Sequence, residues 1–177
     1  AYSDRLRGTT YQDSLCLVIS LKQPLTKYYW LNINDRTLPF LAVIEHTNLI
    51  EAKRYGGQHI VYLSTYVGRD SELLGMSESE LFSMYVPHLK RINAGFDESR
   101  VNSRWRFHGP NAQPVFTIGS GSRIAGHRTP VPGLYLANMA QIYPQDRGQN
   151  YSILLGETIA EMVGGDLLHA DAPQYQV

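Results

Sequence analysis

The sequence predicts an α+β fold, in which a mostly antiparallel sheet comes first and the helices come late. Short apolar or alternating runs, each closed by turn-forming residues, follow one another through the first third of the chain. Strands that are so close in sequence pair as antiparallel neighbours, because parallel pairing needs long crossover connections. A capped helical pattern begins near residue 77, and a second helical pattern lies near the carboxyl end.

Four of the predicted strands precede the first helix. Residues 15–21 form a continuous apolar run, which is typical of a strand buried on both faces. The other three are predicted at residues 28–33, 40–44 and 59–67, each bounded by Pro, Gly, Asn or Asp. After the helix, the alternation of apolar and polar side chains from residue 101 to 107 predicts a half-buried strand.

The first helix carries a clear start signal. Ser77 and Glu80 have the spacing of a capping box, in which each residue satisfies a backbone amide of the other. Pro87 lies inside the pattern and is predicted to kink the helix, and residues 93–95 are predicted to end it. The apolar side chains share one helical face. They are Leu81, Phe82, Tyr85, Leu89 and Ile92.

The carboxyl-terminal part reads as a strand, a loop and a helix. The strand is predicted at residues 134–137, and the helix has an apolar face between Tyr151 and Val163. A glycine pair, Gly164-Gly165, is predicted to end that helix. We therefore divide the chain into three parts, a substrate-domain-like sheet with its helix, a strand–loop–helix, and a frayed tail. Their bounds are residues 1–128, 129–168 and 169–177.

Charge and cysteine content narrow the classes of protein. Sixteen basic and sixteen acidic residues leave no net charge to attract nucleic acid, and no apolar run is long enough to span a bilayer. The six histidines lack ligand spacing, so no metal site is expected. The single cysteine, Cys16, lies in an apolar run and fits a reducing, cytoplasmic compartment.

The strand–loop–helix at residues 132–163 carries the chemistry. The carboxyl end of a buried strand there faces the amino end of a helix, and such helix ends attract anionic or electron-rich groups. Gly148 stands at the helix opening and lets a ligand approach the backbone closely. From these residues alone, contact with a ligand is one reading, and an ordinary strand–loop–helix is the other.

This unit resembles the C-terminal flavin-contacting segment of the amine oxidase and protoporphyrinogen oxidase superfamily. The stretch GLYLA at residues 133–137 is similar to the family's strand, and Gly148 matches the glycine at the helix opening. The resemblance implies FAD as the cofactor of the complete protein, with the helix amides near the flavin. It implies that six residues border the cofactor. They are Asn138, Met139, Gly148, Gln149, Asn150 and Tyr151. The family's Gly-Asp pair falls on Asn138 and Met139, so one carboxylate contact is missing.

Half of a flavin site is absent from the sequence. The three-glycine fingerprint that holds a dinucleotide pyrophosphate does not occur, because Ile124 stands where the third glycine would follow Gly119 and Gly121. A helix terminus contributes about 0.3–2 kcal/mol, whereas nanomolar binding requires about 12 kcal/mol. We therefore expect this chain alone to lack FAD, and its expected partner is a missing N-terminal FAD-binding portion.

The aromatic residues of the predicted strands are candidates to line a substrate cavity. Tyr28, Tyr29 and Trp30 lie on one predicted strand, and Tyr62 and Tyr66 lie on another. Ordinary sheet packing is the competing explanation, because aromatic residues favour strands. Three residues are predicted to contact a small-molecule substrate. They are Trp30, Tyr62 and Tyr143.

Three functional hypotheses remain open at this stage. The first is a portion of an FAD-dependent oxidoreductase, with no residue identified as catalytic. The second is a portion of a flavin-dependent nucleotide-sugar mutase, which needs several arginines for the diphosphate. Arg104, Arg106, Arg123 and Arg128 are the candidates. The third is a non-catalytic binding module that has lost the cofactor half.

Overall fold

The structure, a computed structural model, describes residues 1–170. It contains a five-stranded sheet and three α-helices, and the predicted α+β class is confirmed. Short 3₁₀ turns connect some of these elements. In chain order the elements are α1 (Tyr2–Arg7), β1 (Tyr11–Leu21), β2 (Trp30–Asn32), β3 (Ala42–Glu45), β4 (His59–Val67), α2 (Glu78–Ile92), β5 (Val101–Pro114) and α3 (Gln149–Ala170).

The sheet has the order β2-β3-β4-β1-β5. The pairings of β1 with β4, β3 with β4 and β2 with β3 are all antiparallel, as predicted. Strand β4 has the predicted bounds, whereas β1 begins at Tyr11, before the predicted start. Strand β2 is shorter than predicted. Helix α1 was not anticipated, because six residues are too few to show a helical period.

The core lies on one face of the sheet, beneath α2. A cross-strand row joins Leu17 to Leu63 and Leu63 to Val43, and all three side chains are buried. Because side chains alternate between the two faces of a strand, the residues two positions away extend the same apolar surface. Helix α2 covers it with five buried residues at helical spacing. They are Leu81, Phe82, Tyr85, Val86 and Leu89.

The predicted capping box at the start of α2 is confirmed. The Glu80 amide donates to Ser77 Oγ at 3.3 Å, and Ser77 N donates to Glu80 Oε2 at 2.8 Å. The helix continues past Pro87 and ends at Ile92, with Asn93 as the C-cap. The local sequence signals therefore position the helix that covers the core.

The chain forms two compact units, and each is described by itself. One unit comprises residues 11–113, with the sheet and α2, and the other comprises residues 1–10 together with the chain from residue 114 onwards. The predicted division of the chain after residues 128 and 168 separates a substrate-domain-like part from a flavin-contacting part, and it stays a prediction.

The predicted strand at residues 134–137 is wrong. The structure has only an isolated bridge between Arg128 and Tyr135, flanked by a hydrogen bond from Leu136 N to His127 O at 2.8 Å. Gly133 has a φ of 76° and turns the chain back on itself at this point. An apolar run needs a neighbouring strand to become a ladder, and residues 127–129 provide only this short pairing.

The predicted end of α3 at the glycine pair is also wrong, since the helix runs through Gly164-Gly165 to Ala170. Each glycine costs a helix about 1 kcal/mol. Opposing that cost, Asp166 accepts hydrogen bonds from Arg128 and from the Tyr135 hydroxyl. Residues 171–177, most of the predicted tail, lie outside the described residues. Within residues 1–170, no helix combines the length and apolar character needed to cross a bilayer.

Candidate functional site

The amino end of α3 borders an open depression of about 530 Å³. Three of the six predicted cofactor residues line it, namely Met139, Gly148 and Gln149. The structure thus brings the loop before α3 and the first turn of that helix to one place. The remaining lining residues are Arg147, Ser152 and Ile153. Arg147 was not predicted, and its position next to Gly148 in the sequence was the available signal.

Gly148 is suited to a close approach at this depression. A Cβ atom at this position would lie 2.7 Å from Asn150 Oδ1, which is shorter than an ordinary contact. The Gly148 carbonyl accepts from Ser152 N at 2.9 Å and from Ser152 Oγ at 3.0 Å, so it belongs to the first helical turn. The first amides of an α-helix have no acceptor within the helix, and they face its amino end. Asn150 and Tyr151 follow in this turn but do not line the depression.

Asn138 has a local structural role. Its side-chain oxygen accepts from Ala140 N at 2.9 Å, and its backbone amide donates to Gln141 Oε1 at 2.9 Å. Gln141 Nε2 in turn donates to Ala125 O at 3.0 Å. These bonds fix the turn that brings Met139 to the depression. Cofactor contact by Asn138 stays a prediction.

Tyr143 packs against Phe116 in the same unit. The two ring centroids are 5.2 Å apart at an interplanar angle of 65°, which is an edge-on arrangement. The Tyr143 ring remains 41 % exposed. Its predicted contact with substrate is not tested by this geometry.

Trp30 and Tyr62 share the face of the sheet opposite α2. Trp30 pairs with Ile44, and Ile44 pairs with Tyr62, so the three side chains form one cross-strand row. The Trp30 indole donates to Asn32 Oδ1 at 2.8 Å, and its side chain is 50 % exposed. We call this side of the sheet, which carries Trp30 of β2, Ile44 of β3 and Tyr62 of β4, the aromatic face.

A second depression, of about 440 Å³, lies in the aromatic face. Tyr62 lines it together with Trp105 and Phe107 of β5, and with Cys16 and Val18 of β1. The alternation of residues 101–107 predicted that Trp105 and Phe107 share a face. It could not show which strand would lie beside them, so sequence reasoning did not include them in the site.

The groups that could ionise in this depression stay neutral. Burial raises the pKa of the Cys16 thiol to about 11, so the reactive thiolate is scarce at neutral pH. Burial also raises the pKa of Tyr62. Carboxylate and imidazole groups are absent from the lining of both depressions within residues 1–170. These surfaces can bind and orient a ligand, but they offer no evident general base.

The four arginines required by the mutase hypothesis are occupied locally. Arg104 Nε lies 2.8 Å from Glu78 Oε1, and Arg106 Nη2 donates to Leu74 O at 2.7 Å. In the other unit, Arg123 donates to Thr117 Oγ1, and Arg128 pairs with Asp166. Each of these four arginines therefore makes a local contact within its own unit.

A buried carboxylate, Glu45, serves the fold of the sheet unit. Its oxygens accept from Leu25 N at 3.1 Å and from Thr26 N at 2.6 Å, which anchors the loop before β2. Burial raises the pKa of Glu45 in spite of these donors. Among residues 1–170, no three His, Cys, Asp or Glu side chains come together in a way that could hold a metal ion.

The α+β fold of the sheet unit, with its five-stranded sheet and the helix α2 that covers one face, agrees with the class that the sequence predicted. The model of the family described as flavin containing amine oxidoreductase matches residues 3–145, and the chain belongs to this family. That match ends before Gly148, so it does not test the residues of α3.

Solved structures show the same fold at low sequence identity. A candidate protoporphyrinogen oxidase from Exiguobacterium sp. 255-15 has a TM-score of 0.72 and 15 % identity, over 90 % of this chain. An oxidoreductase from Methanosarcina mazei has a TM-score of 0.62 and 19 % identity, also over 90 % of this chain. This chain spans 36 % of the length of each of those proteins.

A third similar structure is a reduced UDP-galactopyranose mutase. Its TM-score is 0.53 at 18 % identity, over 68 % of this chain and 26 % of that protein. No curated protein matches the sequence.

Proposed function

We propose that this chain supplies the substrate-facing sheet and the cofactor-side helix of an FAD-dependent oxidoreductase, and that the nucleotide-binding portion is a separate part of the complete protein. The observation that carries this proposal is the depression at the amino end of α3, which Met139, Gly148 and Gln149 line together. Membership of a family described as flavin containing supports a flavin as the cofactor.

The residues around the depression fit one side of a flavin. The amino end of α3 offers backbone amides and the positive end of the helix dipole, both of which suit electron-rich oxygens. Gly148 leaves the approach to these amides open. A bound flavin supplies two-electron redox chemistry, while this chain binds and orients it. The side chains of Asn150 and Tyr151 are assigned to the border of this contact, outside the depression itself.

The surface of α3 supports the proposed partner portion. Its apolar side chains include Ile153 and Leu154 in the first turns and Leu167 and Leu168 near the end, and all four are more than half exposed. A long helix with exposed apolar residues on several sides usually packs against further structure. We assign that structure to the FAD-binding portion. The single, half-buried cysteine, Cys16, supports our proposal that the complete protein is cytoplasmic.

Simple energetics predict how weakly this chain alone should bind the cofactor. The helix terminus contributes about 0.3–2 kcal/mol, and each neutral hydrogen bond contributes about 1 kcal/mol. A helix end with two such bonds therefore gives roughly 2–4 kcal/mol, which corresponds to a Kd of about one to a few tens of millimolar. The complete protein would bind far more tightly, because the pyrophosphate and adenosine contacts would be added.

An NMR titration tests this contact directly. Adding FMN to the ¹⁵N-labelled chain should shift the amides of Gly148 and Gln149, with a Kd in the millimolar range. In Gly148→Leu the side chain should block the approach and abolish these shifts. Gly156→Leu is the matched control, because a Cβ at Gly156, in the same helix, meets nothing within 4 Å. The control should behave as the parent chain does.

Three outcomes would contradict parts of the proposal. Absence of any shift at residues 148 and 149 would favour a binding module without a cofactor. Shifts that survive in Gly148→Leu would show that the ligand binds elsewhere. Nanomolar retention of FAD by this chain alone would contradict the need for a separate nucleotide-binding portion.

A further inference from the structure

We propose that the depression in the aromatic face binds a flat, uncharged, apolar group, so that the substrate presents a neutral conjugated or aromatic ring system to this surface and not a protonated amine. This inference rests on the proposed function only in calling the ligand a substrate. The binding site itself follows from the side chains of the sheet unit.

The lining of the depression is apolar almost throughout. Tyr62, Trp105 and Phe107 contribute three aromatic rings, and Val18 and Cys16 complete the floor. The Trp105 and Phe107 side chains are about half exposed, at 45 % and 56 %, so their rings are available to a ligand. Aromatic rings pack best against other flat groups, in stacked or edge-on arrangements.

The charges of the sheet are segregated on the opposite face. The carboxylates of Asp13 and Glu45 lie on the α2 side, because β-strand alternation places them with the buried core residues Leu15 and Val43. Within the described strands, no Asp or Glu therefore accompanies the aromatic rings.

The basic side chains of β5 also point away from the aromatic face. Arg104 lies over the Phe82 ring of α2, and Arg106 donates to Leu74 O. His108 reaches Asp13, with 2.8 Å between Nε2 and Oδ2. Trp105 and Phe107 alternate with these residues and thus carry the uncharged face of the strand. On the strands that form the depression, no charged side chain lies beside it that could pair with an anionic or a cationic ligand.

A protonated amine would fit this surface poorly. Moving a cation out of water is costly without a paired anion, and aromatic rings offset only part of that cost. A neutral ring system loses no such hydration and gains by burying apolar area. The volume of about 440 Å³ lies within the range of roughly 300–1,000 Å³ that is usual for small-molecule sites. The chemistry and size of the depression therefore favour a neutral organic molecule.

Binding of the neutral fluorescent probe N-phenyl-1-naphthylamine to the full 177-residue chain tests the proposal. We expect saturable binding that 1-naphthalenemethanol displaces at least tenfold more effectively than (1-naphthylmethyl)trimethylammonium, which has the same ring and a positive charge. Bound probe should also slow alkylation of Cys16, the single thiol of the chain. Equal or stronger displacement by the ammonium compound would overturn the proposal.

Variants locate the bound probe. Phe107→Lys and Tyr62→Lys introduce a positive charge into the depression, and each should weaken probe binding at least tenfold. Leu49→Lys is the matched control, because Leu49 is an exposed apolar residue of the same unit that does not line the depression. It should change affinity less than twofold. If Phe107→Lys, folded by circular dichroism, binds the probe as the parent does, the proposal fails. The assay contains no flavin, so its result is independent of the flavin titration.

Discussion

Replacing Tyr85 by Phe should stabilise the protein. The Tyr85 side chain is 0 % exposed, and within the described residues its hydroxyl has no hydrogen-bond partner. Burial raises the pKa of this hydroxyl above its ordinary value, so it is protonated at neutral pH. The ring packs edge-on against Phe40, with centroids 5.0 Å apart and an interplanar angle of 74°. Phe retains that contact and removes only the unsatisfied oxygen.

The expected gain follows from the cost of burying an unpaired polar group. An unsatisfied buried donor costs about 1–3 kcal/mol. The space left by the oxygen offsets part of the gain, so we expect the free energy of unfolding to rise by about 1 kcal/mol. With an m-value of about 2 kcal/mol/M, the urea midpoint should increase by roughly 0.5 M. Urea unfolding followed by circular dichroism at neutral pH measures this shift, and the m-value should not change.

Tyr135→Phe is the matched comparison, because the same oxygen is removed from a bonded tyrosine. The Tyr135 hydroxyl donates to Asp166 Oδ2 at 2.6 Å, so this variant should lose stability or leave it unchanged. A gain of stability in Tyr85→Phe, without a gain in Tyr135→Phe, would support the assignment of the unsatisfied hydroxyl. If Tyr85→Phe is destabilised instead, the hydroxyl has a partner in solution and the reasoning is wrong.

Three further substitutions test individual contacts. Ser77→Ala removes the N-cap of α2 and should lower the free energy of unfolding by about 1 kcal/mol in urea unfolding. The Asn111 amide and His108 hold the pKa of Asp13 below its ordinary value of 3.8, so its stabilisation is present above that pH and lost on further acidification. Asp13→Asn should therefore flatten the acid-side decline of the urea midpoint; an unchanged decline would contradict this assignment. Asp166→Asn should speed amide exchange in the last turns of α3, and exchange at the parent rate would argue against the anchoring role.

Local patterns in the sequence predicted the elements that local interactions determine. Strand β4 has the predicted bounds because its alternating apolar residues fall between clear turn signals. The capping box at Ser77 was predicted because both of its partners lie within four residues. The assignment of Trp30 and Tyr62 to strands also came from these patterns. The register shows that β3 lies between their two strands and that both side chains share one face.

Other features depend on partners that are distant in sequence. The run at residues 134–137 has strand character, but a strand also needs a partner of similar length. The glycine pair in α3 has the sequence pattern of a helix end. The hydrogen bonds that Asp166 accepts from Arg128 and Tyr135 come from residues distant in sequence, so the pattern could not include them. Trp105 and Phe107 line the same depression as Tyr62 because β5 and β4 both lie beside β1 in the sheet. A single sequence does not specify that strand order.

Because the contacts of Asp166 hold α3 near its carboxyl end, a small tilt of the helix there displaces its distant amino end. Asp166 follows Gln149 by 17 positions in one continuous helix, so the anchor lies roughly 25 Å from the amino end. A tilt of only about 5° at the anchor would move that end by about 2 Å, which is large on the scale of catalytic positioning. The glycine pair, directly before Asp166, is where such a tilt costs least. Substitutions at Gly164 or Gly165 should therefore alter the geometry beside Gly148, although neither residue contacts that site.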